Sequence, residues 1–227
     1  MSELVPALKN TLFSSTHEVV SEYVELGIDA LLESEVLKGI PVVNTIAAIC
    51  KTGYNLRERN LIKQTLTFIS EFNSGSIPQE KLDEHRKKLD ADPKEAEKEL
   101  SRVLIILGNQ IDEIQSKVLG SFYASYVKGA ISWEKFCELT EANRRMFVSD
   151  YALLFEAAIK DGLKIQGREL YQVDRLISLG LLQNQNRLGG NVWMEITDNP
   201  DKQNDIIVTS LGMTFYHNAP STLKMDI

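Results

Sequence analysis

The segment Val36–Cys50, VLKGIPVVNTIAAIC, limits the possible folds more than any other stretch of the chain. It is apolar on nearly every side from Pro41 onward, so a helix built from it should be enclosed on all sides. Its length of about 15 residues falls short of the roughly 20 apolar residues that a spanning helix needs. Lys38 and Asn44 interrupt it, and Lys38 and Lys51 stand at its two ends. The reading that follows is the central helix of a bundle rather than a membrane span. A helix hidden first and exposed to lipid later is the alternative.

The neighbouring segments have helical spacing. Residues 16–33 carry a broad apolar face through Val19, Val20, Tyr23, Val24, Ile28, Leu31 and Leu32, with Thr16 as a cap. Gly39 and Pro41 break the pattern, and Pro41 suits the first turn of the next helix. LIKQTLTFISEF predicts a helix over 61–72, and NSGSIP a turn at 73–78. The window Glu80–Glu99 holds six Lys/Arg and eight Asp/Glu in alternating order. This predicts a charged helical hairpin near 78–100, with Asp92 and Pro93 opening its second arm. That arm turns apolar at Val103–Leu107 and is expected to run on as helix through Ile111 and Ile114 into the bundle core. Further helix is expected over 116–130. Another begins at Trp133 behind a Ser132 cap and runs, with a break near Ser149–Asp150, to about Lys160.

The pattern changes after Asp161–Gly162. GRELYQVDRLISLGLL reads as a short helix ending at Gly180, and residues 183–191 as a polar turn. Val192–Thr197 alternates like a strand, and Ile206–Thr209 reads as a second. SLGMTFYHNA at 210–219 reads as a closing helix. The expected architecture is mainly α: a helical bundle over 1–148, then a small α+β module with a two-stranded wing over 149–227.

Composition narrows the function. A balance of 25 Lys plus Arg against 32 Asp plus Glu leaves a net charge of −7. A field of that sign disfavours generic nucleic-acid binding and adsorption to anionic lipid. Cys50 and Cys137 lie in apolar helical contexts and predict two buried thiols in a reducing, cytoplasmic setting. His17, His85 and His217 lie far apart in unrelated elements, so no metal ligand set is expected. His85, inside the charged hairpin, is expected to be solvated. Asp83, Glu84, Asp90 and Asp92 share that hairpin with Arg86, Lys87 and Lys88 and read as a solvated face rather than acid–base pairs. No nucleophile–base pair and no phosphate loop is visible, so neither a catalytic residue nor a cofactor is assigned.

The strongest cationic patch is Lys51, Arg57, Arg59 and Lys63, with Arg59 and Lys63 at i,i+4. It is the candidate for binding an anion or the acidic surface of a partner. Arg144 and Arg145, near Asp150, read as a structural ion-pair element rather than an anion site.

Leu176, Leu179, Gly180, Leu181 and Leu182, followed by Val208, Thr209, Leu211, Gly212 and Phe215, resemble the signature of winged-helix domains. The resemblance runs over the C-terminal third of the chain. It implies a helix ending at the glycine, a two-stranded wing and a closing helix. Under DNA contact, the helix would present Arg168, Gln172 and Arg175 outward on one surface. Glu169 and Asp174 on the same helix, and Asp198, Asp201 and Asp205 against Lys202 in the wing loop, weigh toward protein contact instead. GIPVVNTIAAICKTGYNLRERNLIKQTLTFISEF, with SFYASYVKGAISWEKFCEL and RRMFVSDYALL, resembles a family of uncharacterised bacterial helical proteins of mobile-element or defence neighbourhoods. That resemblance implies a bacterial cytoplasmic protein with an accessory or anti-phage role, and the leading reading is action through a protein partner or self-association. A DNA-binding regulator using the C-terminal module is the second class, and a membrane-active effector exposing the 36–50 helix is the third.

Overall fold

Polar side chains decide where several helices begin and end. The Asp92 carboxylate accepts the Lys94 and Glu95 amides at 3.0 and 3.1 Å, with Pro93 as the first helical residue. Ser132 Oγ accepts the Lys135 amide at 3.2 Å. The computed structural model describes residues 3–13, 39–49, 56–185 and 205–225. Among these the chain is mainly helical, with one small antiparallel sheet near its C-terminal end. The helices are α1 (Leu4–Phe13), α2 (Pro41–Ile49), α3 (Leu56–Ser74), α4 (Gln79–Ala91), α5 (Pro93–Asn109), α6 (Glu113–Val127), α7 (Trp133–Arg145), α8 (Val148–Lys160), α9 (Leu170–Ser178), α10 (Ser210–Asn218) and α11 (Ser221–Met225). Strand β1 (Leu182–Asn184) pairs with β2 (Ile206–Val208) in the register Leu182–Val208. No described helix is long and apolar enough to cross a membrane.

The chain divides into two compact units, Met1–Phe136 and Cys137–Ile227. The division falls inside α7, and the boundary read from the sequence at 148/149 lies within the second unit.

In the first unit α3 packs most extensively against α6. Gly120 lets the two backbones meet, because a Cβ there would lie 2.6 Å from the Phe68 carbonyl oxygen. Phe68 and Phe72 of α3 reach Tyr123 of α6 with ring centroids 5.8 and 5.5 Å apart. Leu8 and Leu12 of α1, Val42 and Ile46 of α2, and Leu100, Val103 and Leu107 of α5 complete this core.

Three expectations for this unit, and one at the start of the next, need correction. α2 is not enclosed on all sides: Val42, Val43 and Ile46 are buried, whereas Ala48 is exposed and Ile49 is 51% exposed. Helix α3 starts at Leu56, so the charged patch before Leu61 is its first turns. Helix α5 stops at Asn109 rather than running through Ile111, which is 83% exposed. The cause lies across the packing interface. Asn60 Nδ2 and Gln64 Nε2 donate to the Gln110 and Ile111 carbonyls at 2.7 and 2.9 Å, which holds the chain extended there. Finally, Cys137, which begins the second unit, is half-buried rather than buried. Residues 16–33, Cys50 and Lys51 lie outside the described residues.

In the second unit, Phe155, Leu176, Leu181, Leu182, Ile206 and Phe215 are all but fully buried. Helix α9 closes at Gly180, whose φ of +72° lets the Leu181 and Gly180 amides reach back to the Leu176 and Ile177 carbonyls. Gln183 and Asn184, read from the sequence as the start of a polar turn, belong to the strand that pairs with β2, and the strand expected at 192–197 lies outside the described residues. Directly after the glycine cap, extended backbone lies within reach of β2, and the polar sequence from Gln183 is no obstacle to ladder bonds. Leu163 pairs with Ile206 on the other side of β2. The helix break expected at Ser149–Asp150 falls at Met146–Phe147 instead, because the Asp150 carboxylate accepts the Phe147 amide at 2.8 Å and so starts α8.

Candidate functional site

Three residues of the cationic patch, Arg57, Arg59 and Lys63, lie in the first turns of α3, and Lys51 lies outside the described residues. Arg57 and Lys63 are exposed and Arg59 is half-buried. Lys63 is joined to Glu113 at 2.6 Å. Arg57 and Glu58 border a cleft of about 550 Å³ walled by Leu61, Leu104 and Ile105. Its carboxylates sit among its cations, so the patch is a mixed-charge rim over an apolar cleft.

The charged hairpin contains an arrangement that the charge pattern hid. His85 is not solvated. It is 8% exposed, and its Nε2 lies 2.7 Å from Oε1 of Glu99, which is fully buried. The Tyr123 hydroxyl donates to Oε1 at 2.7 Å and the Tyr126 hydroxyl to Oε2 at 3.0 Å. Lys88 donates to the Tyr126 oxygen at 3.0 Å. Burial pushes the Glu99 carboxyl up, but the bonds and charge of His85 and the two phenols outweigh it, and its pKa falls below the usual glutamate value. Burial and the adjacent Glu99 charge push both phenols up. The spacing was a usable signal: His85 lies on the inward face marked by Leu82 and Leu89, and Glu99 between Ala96 and Val103. The cluster ties α4 and α5 to α6. Asp83, Glu84, Asp90 and Asp92 are exposed. Among the described residues no group of His, Cys, Asp and Glu could hold a metal ion.

In the second unit the three candidates for DNA contact are engaged internally. Both terminal nitrogens of Arg168 donate to the Glu156 carboxylate, at 2.7 and 2.6 Å. This pair, followed by Lys160, pulls the Glu156 pKa down to about 2. Gln172 Nε2 donates to Ser149 Oγ at 2.8 Å. Arg175 Nε donates to fully buried Asp150 at 2.8 Å. The expectation that these three residues face outward as one reading surface is therefore not met. Arg144 and Arg145 form ion pairs, both with Glu141, at 2.9 and 2.7 Å. The i,i+3 and i,i+4 spacing along α7 puts that carboxylate nearer than one on the next helix.

The guanidinium of Arg175 organises a surface that the sequence reading did not single out. It lies 4.1 Å from the Phe147 ring centroid and 5.5 Å from that of Tyr171. Phe147, Val148, Leu170 and Tyr171 are 60%, 51%, 59% and 59% exposed. The Asp150 carboxylate holds both the Phe147 amide and Arg175, so the two ends of the patch share one buried anchor. Two short apolar pairs, Phe147–Val148 and Leu170–Tyr171, each at a helix start, were the available signal.

No family model, curated protein or solved structure matches the chain.

Proposed function

We propose that the chain acts without catalysis of its own, through contact with another protein, and that the second unit carries the contact. One observation supports this reading above the others. The cations that a DNA-reading helix would offer are tied to Glu156 and Asp150, while an aromatic patch ordered around Arg175 stays exposed. Aromatic rings with arginine are the composition of binding hot spots. The helix ending at Gly180, the β1–β2 pair and the Thr209-capped helix α10 support a winged-helix-like module used for packing rather than for reading bases. The resemblance of the first two-thirds to bacterial defence-associated proteins gives this reading its setting: a bacterial accessory protein in anti-phage or mobile-element biology.

The test is affinity purification of the tagged protein from its native host, with and without nuclease, followed by mass spectrometry. A stoichiometric protein partner that survives nuclease is expected. Recovery of DNA fragments, with all partners lost on nuclease treatment, overturns the reading in favour of a regulator.

A further inference from the structure

We infer that the Phe147–Tyr171 surface docks a protein segment bearing an apolar anchor flanked by lysine or arginine. This inference rests on the protein-contact reading above and specifies the chemistry of the partner. The apolar part of the argument is geometric. Phe147 and Val148 at the start of α8, and Leu170 and Tyr171 at the start of α9, are all more than half exposed. Arg175, anchored on Asp150, lies against the Phe147 and Tyr171 rings, and Gln172 is bonded to Ser149. Phe147 and Tyr171 are thus partly preorganised for a partner.

The charge around the patch selects the partner. Arg175 contributes no net charge, because Asp150 neutralises it. Glu169 and Asp174 flank Leu170 and Tyr171 on the exposed face of α9, and neither forms an ion pair among the described residues. Glu169 stands at the N-cap position of α9, yet its carboxylate makes no capping bond. Around the α9 side of the apolar centre, Glu169 and Asp174 are complementary to an apolar anchor flanked by a cation, and they repel an acidic segment or a phosphate backbone there.

The test uses the full chain and three defined peptides sharing one Leu-Phe core: one flanked by Lys and Arg, one by Asp and Glu, and one by Ser. Binding is read by fluorescence anisotropy, and its location by amide chemical-shift changes. The cationic peptide is expected to bind about tenfold more tightly than the serine peptide, with the gap closing at high salt. The shifts should cluster at Phe147, Val148 and Glu169–Arg175. Tyr171→Ala should abolish binding. The double variant Glu169→Lys/Asp174→Lys, both at exposed positions, should keep the wild-type melting temperature and switch preference to the acidic peptide. Equal binding of all three peptides, preference for the acidic one, shifts mapping elsewhere, or concentration-dependent self-association through this patch each overturns the inference. A nuclease-resistant partner whose retention ignores Tyr171→Ala leaves the protein-contact reading standing and removes this surface from it.

Discussion

Glu99 in the first unit and Asp150 in the second are both fully buried carboxylates, and they are satisfied by different kinds of donor. Asp150 receives a guanidinium and a backbone amide, at 2.8 Å each. Neither donor can be lost by titration under ordinary conditions. Glu99 receives one imidazole and two phenols, with the Lys88 ammonium 4.0 Å away and half exposed. Its charge is opposed by a histidine that is cationic only when protonated. The difference shows what each anchor is suited to. Asp150 fixes a surface, since Phe147 and Arg175 both hang from it. Glu99 fixes the packing of three helices in a region whose outer face is crowded with charge.

Removing the acids should break the comparison most strongly. Asp150→Ala leaves Arg175 largely buried without a counter-charge and leaves the Phe147 amide unpaired; the expected loss is about 3 kcal/mol. Glu99→Gln keeps the shape but offers one acceptor oxygen where Tyr123 and Tyr126 donate to two, so one phenol loses its acceptor and about 1 to 2 kcal/mol is expected. Urea titration of both variants, with amide exchange to assign the loss to α8–α9 or to α4–α6, checks the order. A larger loss for Glu99→Gln would mean that the imidazole contact is the stronger anchor.

The Glu99 cluster also depends on a contact one turn earlier on α6. The Tyr123 phenol that donates to Glu99 lies three residues after Gly120, where α6 lies against the α3 backbone. Gly120→Ala puts a methyl 2.6 Å from the Phe68 carbonyl oxygen, so the helices must separate. The expected cost is about 1 to 2 kcal/mol, and most of the faster exchange should fall on α4 and α5. Exchange confined to α3 and α6 would show that the hairpin holds without the phenol.

What the sequence could reveal follows the same division. Helical spacing and caps marked the hairpin, the Asp92 start and the Gly180 end, because each is written in a few adjacent residues. The strand at Leu182–Asn184 went unread because it is too short and too polar to announce itself. The early end of α5 was hidden because its cause, the amides of Asn60 and Gln64, sits about fifty positions away. His85 and Glu99 were read by type, as charged residues in a charged segment, although their positions fall on the apolar face. Arg168 and Arg175 were read as available cations because their acceptors, Glu156 and Asp150, lie on another helix. In each of these cases local chemistry was legible and long-range pairing was not.

Acid separates the Glu99 cluster from the exposed face of the second unit with the smallest perturbation. The Glu99 pKa is lowered in the folded state, so the folded protein holds this proton less tightly than the unfolded chain. Its contribution to stability is complete above the ordinary glutamate value of 4.5 and is lost as pH falls through the lowered one. The Glu156 contribution has the same sign, because Arg168 and Lys160 hold its pKa near 2. Melting temperature should therefore decline as pH falls below 4.5, with both carboxylates contributing. Glu99→Gln should flatten that decline by a few degrees; Glu156→Gln should do so more weakly, since its pair is partly solvated. An unchanged decline in Glu99→Gln would show that the acid sensitivity arises from surface carboxylates.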